Sequence, residues 1–149
     1  MQQASPAPSR STSSCLNLRS LFLKRPRVLL VDDTPEILAL CREILAPHCE
    51  IVGTAPDGKS AIAAYHMTTP EVVVLDISMP GPSGIEVAKR LRSSGCQAAI
   101  VFFSADTEFM MAAMDAGASA FVKKARISSD LWFAIQEALV GRVFVSISD

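Results

Sequence analysis

The sequence has no uninterrupted apolar run near the ~18 residues that a bilayer-spanning helix requires, which removes the membrane-spanning class. Its four cysteines (Cys15, Cys41, Cys49 and Cys96) contain no C-x-x-C pair and are too sparse for a disulfide framework, so a reduced, cytoplasmic setting is expected. Cys41, His48 and Cys49 offer only three metal donors, and Cys41 falls inside an apolar helical pattern, so they read as structural. No G-x-G-x-x-G or Walker-type loop follows the first apolar run, and the nucleotide-binding signature is therefore missing. Acids are absent from the first 27 residues, which carry Arg10, Arg19, Lys24, Arg25 and Arg27 for a charge of +5. Residues 28–149 hold nine bases and fifteen acids, a charge of −6, so the overall −1 averages a basic extension with an acidic body. A body of that sign lacks the means to neutralise phosphates, and direct nucleic-acid binding is not expected.

What is present suits one compact unit. The chain has 149 residues, half of them hydrophobic, with 19% charged and a mean hydropathy of +0.32. That is about one domain's length with enough apolar material for a core. Residues 1–26 read as a disordered or weakly structured basic extension. Residues 1–14 are mostly Ser, Pro, Ala and Gln, while Cys15–Lys24 adds Leu16, Leu18, Leu21, Phe22 and Leu23. Its Arg- and Ser-rich, acid-free character resembles a transit peptide, with a mis-assigned start codon or a plain tail as the other readings. The domain is expected over 27–145, and residues 146–149 as a C-terminal tail.

Within it, apolar runs and amphipathic stretches alternate. Val28–Val31 ends in Asp32-Asp33, and a helix with Ile37, Leu38, Cys41, Ile44 and Leu45 on one face follows Thr34-Pro35, an N-cap and first-turn pair. Strands are predicted at Glu50–Thr54, Val72–Leu75, Ala98–Phe103 and Ala120–Val122, and helices at Lys59–His66, Ile85–Arg92, Glu108–Ala116 and Ser129–Val140. Five strand–helix units make an α/β protein, a (βα)5 doubly wound parallel sheet with right-handed crossovers. Ligands of such sheets bind at the carboxyl ends of the strands.

Those ends carry Asp32-Asp33, Asp76, Ser104 and Lys123-Lys124. Each has an ordinary explanation: Asp33 and Ser104 as helix caps, Asp76 as the start of a Pro-Gly turn, Lys124 as a solvated charge. Capping does not, however, require three carboxylates, a hydroxyl and an ammonium at one rim. Crowded carboxylates repel unless a cation joins them, and hard oxygen donors suit Mg²⁺ or Mn²⁺. A carboxylate can also accept a phosphoryl group as an acyl phosphate, with a dication and a lysine balancing the charge. Asp76 fits the nucleophile, since it follows the most buried run and precedes a loop with room for a donor. Asp32 and Asp33 then fit the metal, Lys124 the phosphate counter-charge, and Ser104 a phosphoryl oxygen.

The pattern resembles the receiver domain of two-component response regulators over about residues 27–145. The motifs are Val31-Asp32-Asp33, Leu75-Asp76-Ile77-Ser78-Met79-Pro80-Gly81-Pro82-Ser83-Gly84, Phe103-Ser104-Ala105 and Gly117-Ala118-Ser119-Ala120-Phe121-Val122-Lys123-Lys124. The resemblance implies a flavodoxin-like receiver fold with five strands in the order 2-1-3-4-5. It implies phosphorylation of Asp76 by a cognate histidine kinase or phosphotransfer protein. It implies Mg²⁺ held by Asp33, Asp76 and the Ser78 backbone carbonyl, with Asp32 acting through water. Ser78, Ser104, Ala105 and Lys124 would hold the phosphoryl group. Ser104 and Phe121 match the switch hydroxyl and aromatic, Phe121 rotating into space that Ser104 vacates. The lysine falls on Lys124 rather than Lys123, and the face of the fourth helix, fifth strand and fifth helix would then signal to an effector protein or form a homodimer.

Two departures are visible. Ala125 follows the lysine where proline is common, and the stretch Leu131–Ser146 is similar to receivers of the helix-turn-helix-output (NarL/FixJ-like) class, although no output domain is expected before the chain stops at Asp149. Met111, Trp132 and Phe133 fall on the signalling face as scattered surface apolar residues or as a contact patch. Two alternatives remain. An Asp-nucleophile phosphatase or phosphotransferase would carry an acid two residues after the nucleophile, where this chain has Ser78. A phosphorylation-independent pseudo-receiver, a binding module only, would fail to bind Mg²⁺.

Overall fold

A computed structural model describes residues 25–146. The elements alternate as β1 (Arg27–Val31), α1 (Pro35–Leu45), β2 (Glu50–Ala55), α2 (Gly58–Thr68), β3 (Val72–Asp76), α3 (Gly84–Ser93), β4 (Ala99–Ser104), α4 (Met110–Asp115), β5 (Ala120–Lys123), α5 (Ile127–Leu139) and β6 (Phe144–Val145). Short 3₁₀ turns at Thr107–Phe109 and Lys124–Arg126 lead into α4 and α5. The extension read over residues 1–26 lies outside the described residues apart from Arg25 and Pro26, and the tail read over 146–149 lies outside them apart from Ser146. The Arg25 guanidinium donates to the carbonyls of Ala46 and Cys49.

Every strand pair is parallel and the order is 2-1-3-4-5-6. The expected order 2-1-3-4-5 is present, but a sheet of only five strands is corrected: Ala120 and Phe121 pair with Phe144 and Val145 of a sixth. Phe144-Val145 is too short for a period-two pattern to announce it, and tertiary docking on the β5 edge makes it a strand.

Alternation along the strands divides the core between the two sheet faces. Leu29, Val31, Val73, Leu75, Ile100, Phe102 and Phe121 point to one face, against Ala61 of α2, Val87 and Leu91 of α3 and Ala113 of α4. Val28, Leu30, Val72, Val74, Val101, Phe103 and Val122 point to the other, against Cys41 and Leu45 of α1 and Leu131 and Ile135 of α5. Each fully buried aliphatic side chain contributes about 1.5–3 kcal/mol. β3 lies between β1 and β4, and all five of its residues are buried. Its last residue is Asp76, so the strand that anchors the sheet also carries a carboxylate into the interior.

Helix starts are set by short polar contacts. The Asp57 carboxylate accepts the Ser60 amide at α2, and Ser83 and Glu86 form a reciprocal capping box at α3. Thr34 does stand at the N-cap of α1, yet its side chain caps nothing; its own amide donates to Asp32 Oδ1 at 2.7 Å. Ser104 does not cap the fourth helix either. Asp106 caps the 3₁₀ turn that leads into α4, accepting the Glu108 amide at 3.0 Å, and α4 itself, with Phe109 at its N-cap, has no side-chain cap. No helix among the described residues is long and apolar enough to cross a membrane.

Candidate functional site

Parallel strands of similar length end at one rim, and the rim gathers the residues that the strand ends pointed to. Carboxylate oxygens of Asp32, Asp33 and Asp76 lie within 4.8 Å of one another, the only such metal-competent grouping among the described residues. Asp32 and Asp76 are 0% and 1% exposed, whereas Asp33 faces solvent. The Lys124 ammonium bridges the two buried members, 3.1 Å from Asp32 Oδ2 and 3.3 Å from Asp76 Oδ1. It also lies over the Phe103 ring, 5.3 Å from the centroid.

The remaining polar contacts are few. The Thr34 amide donates to Asp32 Oδ1 and the Ser78 amide to Asp76 Oδ1, at 2.7 and 3.3 Å. Asp32 Oδ2 and Asp76 Oδ2 are buried without a hydrogen-bond partner, the former meeting Lys124 as an ion pair outside hydrogen-bond alignment. Asp76 Oδ2, with neither a hydrogen bond nor an ion pair, is costly to bury unless a cation satisfies it. A hard dication with oxygen donors fits that need, and Asp33 adds a solvent-facing ligand beside them.

The electrostatics agree. Burial pushes the Asp76 carboxyl up to about 6, the Asp32 charge adds to this, and Lys124 counters part of it. Burial works against the Lys124 charge, but attraction by Asp76 and Asp32 outweighs it and holds that pKa raised. Burial also raises the Cys41 and Cys49 thiols to about 12, leaving both protonated and inert at neutral pH.

The loop after Asp76 is fixed by close backbone packing. The Gly84 amide donates to the Ile77 carbonyl at 2.8 Å, and a Cβ on Gly84 would lie 2.1 Å from the Asp76 carbonyl oxygen. Sequence reasoning placed Gly84 in the loop but not this contact, which only the folded backbone reveals. A cleft of about 630 Å³ is lined by Pro80, Gly81 and Pro82 on one side and by the cap residue Asp57 with Lys59, Ser60 and Ala63 of α2 on the other. Ser78 is exposed on the loop, and Ala105 is exposed just past β4.

Ser104 is buried at the end of β4, in register with Lys123, and Phe103 is in register with Asp76. Its hydroxyl accepts the Asp106 amide at 3.1 Å, a partner that the sequence did not single out. Phe121 is fully buried beside Phe102, so its ring already holds an inward seat. On the outer face Met111 and Phe133 are 69% and 50% exposed, and Trp132 is half-buried, stacked on His48 at 4.6 Å.

With this geometry in place, comparison defines the class. Residues 28–136 match the response regulator receiver domain, and the chain belongs to that family. Among individual relatives, it is 36% identical over 126 residues to a protein-glutamate methylesterase/protein-glutamine glutaminase of a Nocardioides species, covering 78% of this chain and 34% of that protein. It is 30% identical over 123 residues to the nitrate/nitrite response regulator protein NarL of Escherichia coli, covering 80% and 57%. A crystal structure of a LuxR-family two-component response regulator from an Aurantimonas species superposes with a TM-score of 0.76 at 34% identity, over 81% of this chain and 89% of that one. The chain thus spans between a third and just over half of the two curated relatives' lengths.

Proposed function

We propose that this receiver accepts a phosphoryl group on Asp76 and passes the change to a partner protein. The observation that carries the reading is the grouping of two buried carboxylates with Asp33: Lys124 pairs with Asp32 Oδ2 and Asp76 Oδ1, while Asp76 Oδ2 is buried with no partner. In the transfer, an Asp76 oxygen attacks phosphorus of a phosphohistidine or small acyl phosphate. The bond from phosphorus to the donor breaks, and the donor leaves with that electron pair. Lys124 lies where it can meet a phosphoryl oxygen, and the Ser104 hydroxyl and the Ser78 and Ala105 backbone complete the cradle. Asp33, Asp76 and the Ser78 carbonyl would hold Mg²⁺ (or Mn²⁺), with Asp32 acting through water. The ion supplies charge neutralisation for the phosphoryl oxygens.

A cognate histidine kinase or phosphotransfer protein is the natural donor, and the cytoplasm the natural compartment. The phosphoryl group adds roughly two negative charges. That charge would draw the Ser104 hydroxyl from the Asp106 amide, and the packing around Phe121 would adjust. Signal would leave by the α4–β5–α5 face, where exposed Met111 and Phe133 offer contact area to an effector or a second copy. This is a signalling role, not turnover of a substrate: Ser78 stands where a phosphatase's acid would be. Acetyl phosphate with Mg²⁺ should add about 80 Da, one phosphoryl group, to the wild type and nothing to Asp76→Asn. Equal uptake by both proteins refutes the assignment, and wild type inert toward both donor and Mg²⁺ favours the pseudo-receiver.

A further inference from the structure

β6 is the part of the fold that phosphoryl chemistry leaves without a task. Two residues make few ladder bonds, yet the segment is fastened at three further points. The Ser146 amide donates to the Phe121 carbonyl at 2.9 Å, and the Phe144 ring meets Phe133 edge-on at 5.2 Å. The third is a buried polar relay. The Ser146 hydroxyl, on a residue 6% exposed, donates to Asp130 Oδ2 at 2.7 Å and accepts the Lys123 amide at 3.2 Å. Asp130, 8% exposed, is held in turn by Arg126 Nε at 2.8 Å.

The Lys123 amide is where this relay touches the site. Lys123 closes β5 in register with Ser104, and the next residue is Lys124, whose ammonium meets Asp32 and Asp76. A side-chain hydroxyl thus fixes the backbone one residue before the charge-balancing lysine. β6 runs parallel to β5, so Ser146 reaches the same rim as Asp76.

We propose that Ser146 and Asp130 are positioning residues for phosphoryl transfer, setting through the Lys123 amide the backbone from which Lys124 reaches Asp76. The proposal rests on the phosphoacceptor reading. Coupling of this kind is reciprocal, so charge arriving at Asp76 also biases how firmly β6 stays docked. The C-terminal segment is then both a support of the site and a reporter of its state.

The test compares the full chain with Ser146→Ala, Ser146→Thr and Asp130→Asn, using acetyl phosphate at saturating Mg²⁺. Misplacing a catalytic group slightly is enough to slow transfer by about tenfold. Ser146→Ala and Asp130→Asn should show that loss with an unchanged half-saturating Mg²⁺ concentration, and Ser146→Thr should restore the rate. A second readout needs no phosphoryl group: the NMR signal of the Lys124 ammonium should move in Ser146→Ala and return in Ser146→Thr. Variants that lose thermal stability yet keep the wild-type rate and Lys124 signal overturn the proposal. If the wild type takes up no phosphoryl group, the phosphoacceptor reading fails by itself, and an unmoved Lys124 signal still refutes positioning by Ser146.

Discussion

Replacing Asp76 by asparagine should make the metal-free protein more stable while ending its chemistry. The Asp76 carboxyl sits at about 6 in the fold against an ordinary 3.8, a rise of about two units. At 1.36 kcal/mol per unit, keeping it ionised in the folded state costs about 3 kcal/mol, with the attraction of Lys124 already included. The sign follows from the direction of the shift. A carboxyl with a raised folded pKa favours the fold fully below pH 3.8, and that advantage is lost as pH rises through 6. Asparagine is neutral throughout, can keep an oxygen for the Ser78 amide, and can point its own amide at the neighbouring carboxylates.

The measured quantity is the gap in unfolding free energy between the two proteins, from urea titrations in EDTA between pH 4 and 8. Other titrating groups largely cancel in that gap. It should reach about 1–3 kcal/mol in favour of Asp76→Asn at pH 7–8 and shrink toward zero near pH 4. Melting temperatures should differ by about 4 °C per kcal/mol for a domain of this size. Mg²⁺ at a hundredfold excess over its dissociation constant would return about 2.7 kcal/mol to the wild type and close the gap. A variant no more stable than wild type at pH 7–8, or a gap that ignores pH, refutes the reasoning.

Two other changes probe separate parts of the site. Lys124→Met removes the bridging ammonium, so the Asp76 carboxyl should rise further and acetyl phosphate uptake fall by about a hundredfold, while calorimetry finds Mg²⁺ binding intact. Gly84→Ala puts a methyl group 2.1 Å from the Asp76 carbonyl oxygen, against backbone that cannot yield cheaply. Urea unfolding should show a loss of about 3 kcal/mol.

The parts of this molecule legible in the sequence are those where one physical requirement dominates a segment. Val72–Leu75 reads as a strand because a strand buried on both faces must be apolar throughout, and the structure buries all of β3. The shared placement of Asp32, Asp33, Asp76, Ser104 and Lys124 is legible because topology delivers strand ends to one rim. What stayed hidden depends on partners far along the chain. The hydroxyl of Ser146 finds Asp130 sixteen residues back and the amide of Lys123 twenty-three back, and no local pattern encodes either distance. Thr34 looked like a side-chain cap by residue type, but the nearby Asp32 carboxylate captures its amide. Position in the sheet outweighed propensity there.

The charge balance of the site gives the signalling reading its physical content. Three carboxylates against one ammonium leave a formal −2 at neutral pH, with two of the carboxylates fully buried. On the proposed reading a dication would cancel that excess, and a phosphoryl group on Asp76 would then add roughly two negative charges again. That charge would sit farther out than the carboxylate oxygens, so the cation within reach, Lys124, would redistribute between Asp32 and the phosphoryl oxygens. Asp32, losing part of its counter-charge, has no second donor on Oδ2 to replace it. On the phosphoacceptor reading the relaxed and phosphorylated packings would therefore differ first along the backbone of β5 and the turn after it, where Lys123 pairs with Ser104 on one side and its amide meets Ser146 on the other. A switch needs two arrangements separated by only a few kcal/mol. Two hydroxyl contacts lie at this end of the sheet, Ser104 accepting the Asp106 amide of the loop after β4 and Ser146 accepting the Lys123 amide of β5, each of a strength that such redistribution would overturn.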